Sequence, residues 1–166
     1  FEAYLMNLCE EMVGMGAGIF VFVNWHEGNI ASLDAVATDL QDQEDVLVIS
    51  AHACYTAQRL YADAGGELTH GGGIETLAVL AHDPDLVRFD RVTEPTRPEG
   101  AAELDAMRRS KEIYGYITDV TEIADDGWYG NPAWADETRA DDFATTVADE
   151  IAAKVTAILE MRKGRR

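Results

Sequence analysis

From the first residue, apolar side chains recur at steps of three and four: Phe1, Leu5, Leu8, Met12 and Met15. That spacing lays an apolar stripe along a helix over Phe1 to Met15, which Gly16 and Gly18 bring to a stop. The run Ile19-Phe20-Val21-Phe22-Val23 that follows is unbroken and β-favouring. Continuous rather than alternating hydrophobicity predicts a strand covered on both faces, as in a parallel sheet. The helical period returns over Ile30 to Leu40, with Ile30, Leu33, Val36, Ala37 and Leu40 on one side. A second strand is expected at Asp45 to Ser50. Helix, strand, helix, strand contains a βαβ unit, so the expected class is α/β: a layered parallel sheet with flanking helices.

Beyond Ser50 the regularity weakens. Tyr55 to Ala64 reads as a short helix, and Gly65-Gly66 and Gly71-Gly72-Gly73 bracket a loop. Ile74 to Ala81 reads as a helix ended near Pro84. Arg88 to Gly100, with Pro95 and Pro98, reads as loop. A polar helix follows at Ala101 to Ser110, then a candidate strand at Ile113 to Thr118. Asp125-Asp126-Gly127 and Asn131-Pro132 are turn signals. The chain closes with a long amphipathic helix, Ala133 to Met161, whose stripe includes Phe143, Val147, Ile151, Val155 and Ile158 or Leu159. There is no internal repeat, and 166 residues suffice for a single α/β domain spanning 1–166.

Charge changes this picture by exclusion. The formal net charge is −18, and the basic residues gather only at Arg108, Arg109, Lys111 and in the tail Arg162, Lys163, Arg165, Arg166. Nucleic-acid binding, which needs clustered cations to neutralise phosphates, is therefore not expected. The acidity implies a well-solvated surface of the kind a salt-adapted host uses. No apolar run reaches the ~18 residues that would cross a bilayer, so no membrane partner is expected. Cys9 and Cys54 form no metal-binding spacing and read as two buried thiols in a reducing cytoplasm. The helix that opens on Phe1 has no cap or lead-in, which leads to the expectation of further polypeptide upstream, removed or supplied separately.

Two clusters carry candidate chemistry. Asn24-Trp25-His26-Glu27-Gly28-Asn29 lies just past the carboxyl end of the first strand, where open parallel sheets bind ligands. A histidine there either offers a neutral nitrogen to a metal or bonds to backbone as an ordinary loop residue. The second cluster is Thr69-His70-Gly71-Gly72-Gly73-Ile74-Glu75-Thr76. Its glycines leave backbone open to close approach and lead into a helix N-terminus, where N–H groups favour anions. His70 can shuttle a proton, and Glu75 can bind a metal, orient a water or simply favour the helix dipole. His52, after the second strand, either lines the same crevice or, as the favoured reading, is a surface or supporting residue, and His82 reads as solvent-facing.

Taken together these segments resemble the creatininase family. The family shows Asn-Gly-His-x-x-Asn after a buried strand, here Asn24-Trp25-His26-Glu27-Gly28-Asn29. It then shows His-Ala-Gly-x-x-Glu-Thr-Ser opening a helix, here His70-Gly71-Gly72-Gly73-Ile74-Glu75-Thr76-Leu77. Asp83-Pro84-Asp85-Leu86-Val87 follows, and Gly127-Trp128-Tyr129-Gly130-Asn131-Pro132 is similar to the family's turn before its last helix. The order is preserved over nearly the whole chain, which looks like the C-terminal portion of such a protein.

The resemblance implies a creatininase-like fold whose N-terminal strands are missing from this chain. It also implies a site of two divalent ions, zinc or manganese, that hydrolyses a C–N bond in a small cyclic amide. It casts His26 as a metal ligand, His70 as the proton donor or acceptor, and Glu75 as the carboxylate at or beside the metals. Gly28 stands where the enzyme creatininase has a metal-binding glutamate, which makes the adjacent Glu27 a candidate ligand. Trp25, in place of a glycine, joins Gly72, Gly73 and Trp128 as candidate pocket residues. The family's upstream Glu-x-His and following Asp do not occur here, so the remaining ligands are expected from an N-terminal companion chain. A homo-oligomer of the assembled unit is expected with it. The competing expectations are lactone, imide or formamide hydrolysis or peptide trimming at the same metal site, and a non-catalytic subunit without metals.

Overall fold

The computed structural model describes residues 1–94, 96–117 and 119–163. Within them the chain forms a mixed helix-and-strand structure with a small parallel sheet, in two compact units. The first comprises residues 1–57 and the chain from Val147 onward; the second comprises Gln58–Thr146.

The first unit holds α1 (Glu2–Gly14), β1 (Ile19–Asn24), α2 (Ile30–Gln43), β2 (Leu47–His52) and the start of α3 (Ala53–Tyr61). The strands pair in parallel from Ile19 opposite Leu47 to Asn24 opposite His52, joined through α2. Leu33, Val36 and Leu40 form the buried side of α2. Leu40 meets Cys9 of α1 and Phe20 of β1, with Leu5, Met6, Val13, Phe22 and Val48 packed around them. On the outer edge of β2, Gln41 Oε1 accepts the Val48 backbone N–H at 2.9 Å, which occupies one ladder group that would otherwise face solvent.

Two expectations for this unit are corrected. Phe20 and Asn24 are buried, whereas Ile19, Val21 and Val23 on the opposite face are 53%, 38% and 64% exposed. β1 is therefore covered on one face only, because α1 and α2 both pack on the Phe20 side. Likewise α1 turns the face of Leu5, Met6, Cys9 and Val13 inward, while Phe1, Tyr4, Leu8, Met12 and Met15 are exposed. The three-and-four spacing found an apolar face, but the helix carries two, and Cys9 rather than Leu8 centres the buried one. The second strand also starts two residues later than expected, because the ladder opens where the Leu47 N–H reaches the Gly18 carbonyl at 3.0 Å.

The second unit holds α4 (Gly73–His82), α5 (Ala101–Ser110), the first turns of α6 (Glu137–Lys163) and several single 3₁₀ turns. Ile74, Leu77 and Leu80 form the buried side of α4. Around α5 a small core gathers Ala101, Ile123, Ala124 and Tyr129, with Leu104, Ile117 and Val120 against it. Inside it Asp105 accepts from the Tyr129 hydroxyl at 2.6 Å and from Arg108 and Arg109 at 2.8 and 3.2 Å. Burial pushes the Asp105 carboxyl up, but these donors together outweigh it and hold it below the usual carboxylate range. Burial, reinforced by Asp105, pushes the Tyr129 phenol up.

The strand expected at Ile113 to Thr118 is not formed over 113–117; Thr118 lies outside the described residues. Ile113 and Tyr116 are among the most exposed apolar side chains, and among the described residues this stretch pairs with no strand, so no ladder offsets the cost of extending it. Helix α6 starts at Glu137 rather than Ala133, because Pro132–Trp134 form a 3₁₀ turn. Asp136 then closes the helix end, its Oδ1 accepting the Arg139 N–H at 2.9 Å. Phe89–Arg91 form a further 3₁₀ turn inside the expected loop. Pro95 in that loop and Arg165 and Arg166 of the basic tail lie outside the described residues.

Candidate functional site

The candidate residues fall in both units: Trp25, His26 and Glu27 in the first, His70, Gly72, Gly73, Glu75 and Trp128 in the second. In the first, Asn24 ends β1 as a buried amide. It accepts the His26 N–H at 3.2 Å and donates to the His26 carbonyl at 2.9 Å. This two-pronged clamp on a backbone two residues ahead folds the chain sharply past the strand end. The His26 side chain is exposed and folds back over residue 28, where a Cβ would lie 2.7 Å from its Nε2. Gly28 thus leaves the room the imidazole occupies. Trp25 and Glu27 are half-buried.

In the second unit the His-Gly-Gly-Gly loop is roofed by the Gly127–Trp134 segment. The Tyr129 N–H donates to the His70 carbonyl at 2.8 Å. A side chain at Gly71 would meet Trp128 Cβ at 2.9 Å, and one at Gly73 would meet the Asn131 carbonyl at 3.0 Å and Trp134 at 2.9 Å. The glycines are needed for this close packing of the chain on itself. Gly71 sits at φ +69°, the left-handed region that glycine enters at little cost. Gly72 and Gly73 are buried behind the loop. The Thr69 hydroxyl is buried and has no hydrogen-bond partner among the described residues; it is pressed against Gly72 and Gly130.

Glu75 stands in the first turn of α4, where a carboxylate favours the helix dipole. Its Oε2 accepts the Gly71 N–H at 2.7 Å, which ties the loop to the helix. The same carboxylate borders an open cavity of about 410 Å³, whose other walls include Gly71, Val79, Phe89, Val92 and Trp128. Such a cavity, mainly apolar with few polar groups, has the form of a small-molecule site. His70 beside it is exposed. Sequence pattern did not pick out Leu86, Val87, Phe89 and Val92 as wall residues. The signal was the Asp-Pro-Asp-Leu-Val stretch, which the fold wraps against α4.

The Creatininase family model, described as creatinine amidohydrolase, matches residues 1–155. The chain belongs to the creatininase family. Neither the curated proteins nor the solved structures contain a significant match to it. Membership implies amidohydrolase chemistry.

Members of this family are generally metal-dependent, so the donor set decides whether these residues can hold an ion alone. Among the described residues no three His, Cys, Asp or Glu side chains form a metal-holding group. At the end of β1 the Asn24 amide clamps the His26 backbone and takes the Asn29 amide, and amides are poor donors for zinc or manganese compared with carboxylates; the His52 imidazole bonds to Asn24 through Nδ1. Glu75 already spends one oxygen on a backbone N–H. The described donors do not fit a self-sufficient zinc or manganese centre. No helix among them is long and apolar enough to cross a membrane.

Proposed function

We propose that this chain is part of a cytoplasmic creatininase-like hydrolase that cleaves a C–N bond in a small cyclic amide. The observation that carries the reading is Glu75, anchored by the Gly71 N–H at the edge of the cavity beside Trp128. Anchoring fixes the carboxylate's orientation, and the described residues bond only one of its oxygens, so the other is available to take a proton from water. His70, exposed two residues before the buried glycines, is the acid that returns a proton to the departing nitrogen. Trp128 and Phe89 supply apolar surface for a planar ring.

His26, Glu75 and Glu27 are the chain's proposed contributions to a site of two zinc or manganese ions. Further donors come from an N-terminal companion chain, whose strands complete a creatininase-like layered sheet, and the assembled unit forms a homo-oligomer. The exposed apolar faces support the companion: Ile19, Val21 and Val23 on β1, and Tyr4, Leu8 and Met12 on α1. An uncovered sheet face of this kind is what a further layer buries.

The test is to incubate the purified protein, alone and with its co-purifying polypeptides, with lactams, cyclic guanidino amides and cyclic imides. Ring opening is followed by mass spectrometry as the gain of one water, and bound metal is measured in parallel. Ring opening that is lost in Glu75→Gln, with zinc or manganese bound near stoichiometrically, supports the reading. Imides opened in preference to amides would move the substrate class. No bound metal and no turnover with the companion present would make the chain a non-catalytic subunit.

A further inference from the structure

The two strands end as a matched pair, Asn24 opposite His52. Asn24 is 4% exposed, and its surroundings fix which end of the amide is which. The His26 N–H can only donate, and it points at Oδ1; the His26 carbonyl can only accept, and it faces Nδ2. Asn29 Nδ2 donates to the same Oδ1 at 3.4 Å. Turning the amide over would break the two backbone bonds and the Asn29 bond together. The second N–H of Nδ2 therefore faces His52 Nδ1, 3.4 Å away, and that nitrogen must accept. A neutral imidazole whose Nδ1 accepts carries its proton on Nε2. Among the described residues His52 Nε2 has no hydrogen-bond partner; the half-buried ring is braced edge-on by Tyr55 at a centroid distance of 6.0 Å.

We infer that His52 is a second functional imidazole of this chain, held by Asn24 as the Nε2–H tautomer so that it donates a hydrogen bond to the carbonyl oxygen of a small amide. The carboxyl ends of parallel strands are where such a ligand is bound in sheets of this type. A neutral N–H donor suits an amide oxygen, whose negative charge grows during hydrolysis. The choice of ligand rests on the amidohydrolase reading; the tautomer does not.

The experiment is long-range ¹H–¹⁵N NMR on protein labelled at its four histidines, with His52→Gln assigning the signal. The expected wild-type spectrum shows His52 protonated at Nε2 with Nδ1 accepting, and adding 2-pyrrolidinone shifts the Nε2–H resonance while that of His82 stays in place. Asn24→Ala removes the constraint, and the two tautomers then mix. A wild-type His52 protonated at Nδ1, or no shift with the lactam, overturns the inference whether or not the variant folds. Turnover of a cyclic amide unchanged in His52→Ala also overturns it and leaves the hydrolase standing. Lactam binding at His52 with no ring opening when the co-purifying polypeptides and zinc or manganese are present does the reverse: it supports the inference and sinks the hydrolase reading.

Discussion

Glu75 and Asp105 show how two carboxylates of the second unit are given different tasks by their partners. Glu75 borders a cavity and is held through one backbone N–H. Replacing it with Gln keeps the shape and removes the proposed base, so kcat should fall roughly 10²- to 10⁴-fold with the circular-dichroism spectrum unchanged. A variant that retains full turnover would move the base elsewhere. Asp105 is buried and committed to Tyr129, Arg108 and Arg109. Asp105→Asn leaves the guanidinium groups without their shared anion and should cost about 3–5 kcal/mol in urea unfolding, as for other broken buried pairs. A loss near zero would show that solvent compensates the arginines. The place of Glu75 at the head of a helix was legible as a motif, because loop glycines followed by a helix-leading carboxylate are local in sequence. The Asp105 network was not, since it joins Asp105 to Tyr129 across 24 positions and no local pattern announces it.

Helices whose signal is local were legible at the scale of elements. Leu33, Val36 and Leu40 predict α2 and form its buried side, and α5 runs over the expected Ala101–Ser110. What pattern alone did not reveal is which apolar face is used. α1 carries two such faces, and only its packing on Phe20 and Leu40 selects that of Cys9. Asn24 meets His52 through strand register, again a long-range fact. The glycine loop makes the same point in a testable way. Its glycines read as open backbone for a ligand, yet the Asn131 carbonyl and Trp134 lie over Gly73. Gly73→Ala should therefore destabilise by about 1–3 kcal/mol through overpacking against backbone that has little room to move. Gly14, the last residue of α1, has nothing within 4 Å of where an added methyl would sit and no positive φ. Gly14→Ala should stabilise by about 0.4–1 kcal/mol by narrowing the unfolded ensemble. Equal effects of the two substitutions in thermal unfolding would refute the assignment of Gly73 to close packing.

The whole chain carries 31 acidic and 13 basic side chains, so its folded surface repels itself. The exposed pairs Arg88–Asp90 and Lys163–Glu160 do little against this, since each is screened by solvent. Added salt should consequently stabilise the protein by relieving repulsion more than it weakens pairing. Raising NaCl from about 10 to 200 mM shortens the screening length from roughly 30 Å to under 10 Å, and the melting temperature should rise by about 2–4 °C for each kcal/mol recovered. An uncharged osmolyte at the same osmolality serves as the control for general exclusion effects. The response to acid must behave differently. The folded Asp105 carboxyl is held below its unfolded value, so its contribution is present above about pH 4 and is lost as pH falls through the folded value. Salt relieves long-range repulsion but barely reaches a buried pair. Stability should therefore fall below about pH 4 at 10 mM and at 200 mM NaCl alike, and Asp105→Asn should flatten that limb while leaving the salt response at neutral pH intact. A melting temperature independent of salt at pH 7 would show that the acidic surface is already neutralised by its own arrangement. An acid limb that persists unchanged in Asp105→Asn would place the sensitive carboxylate somewhere else in the fold.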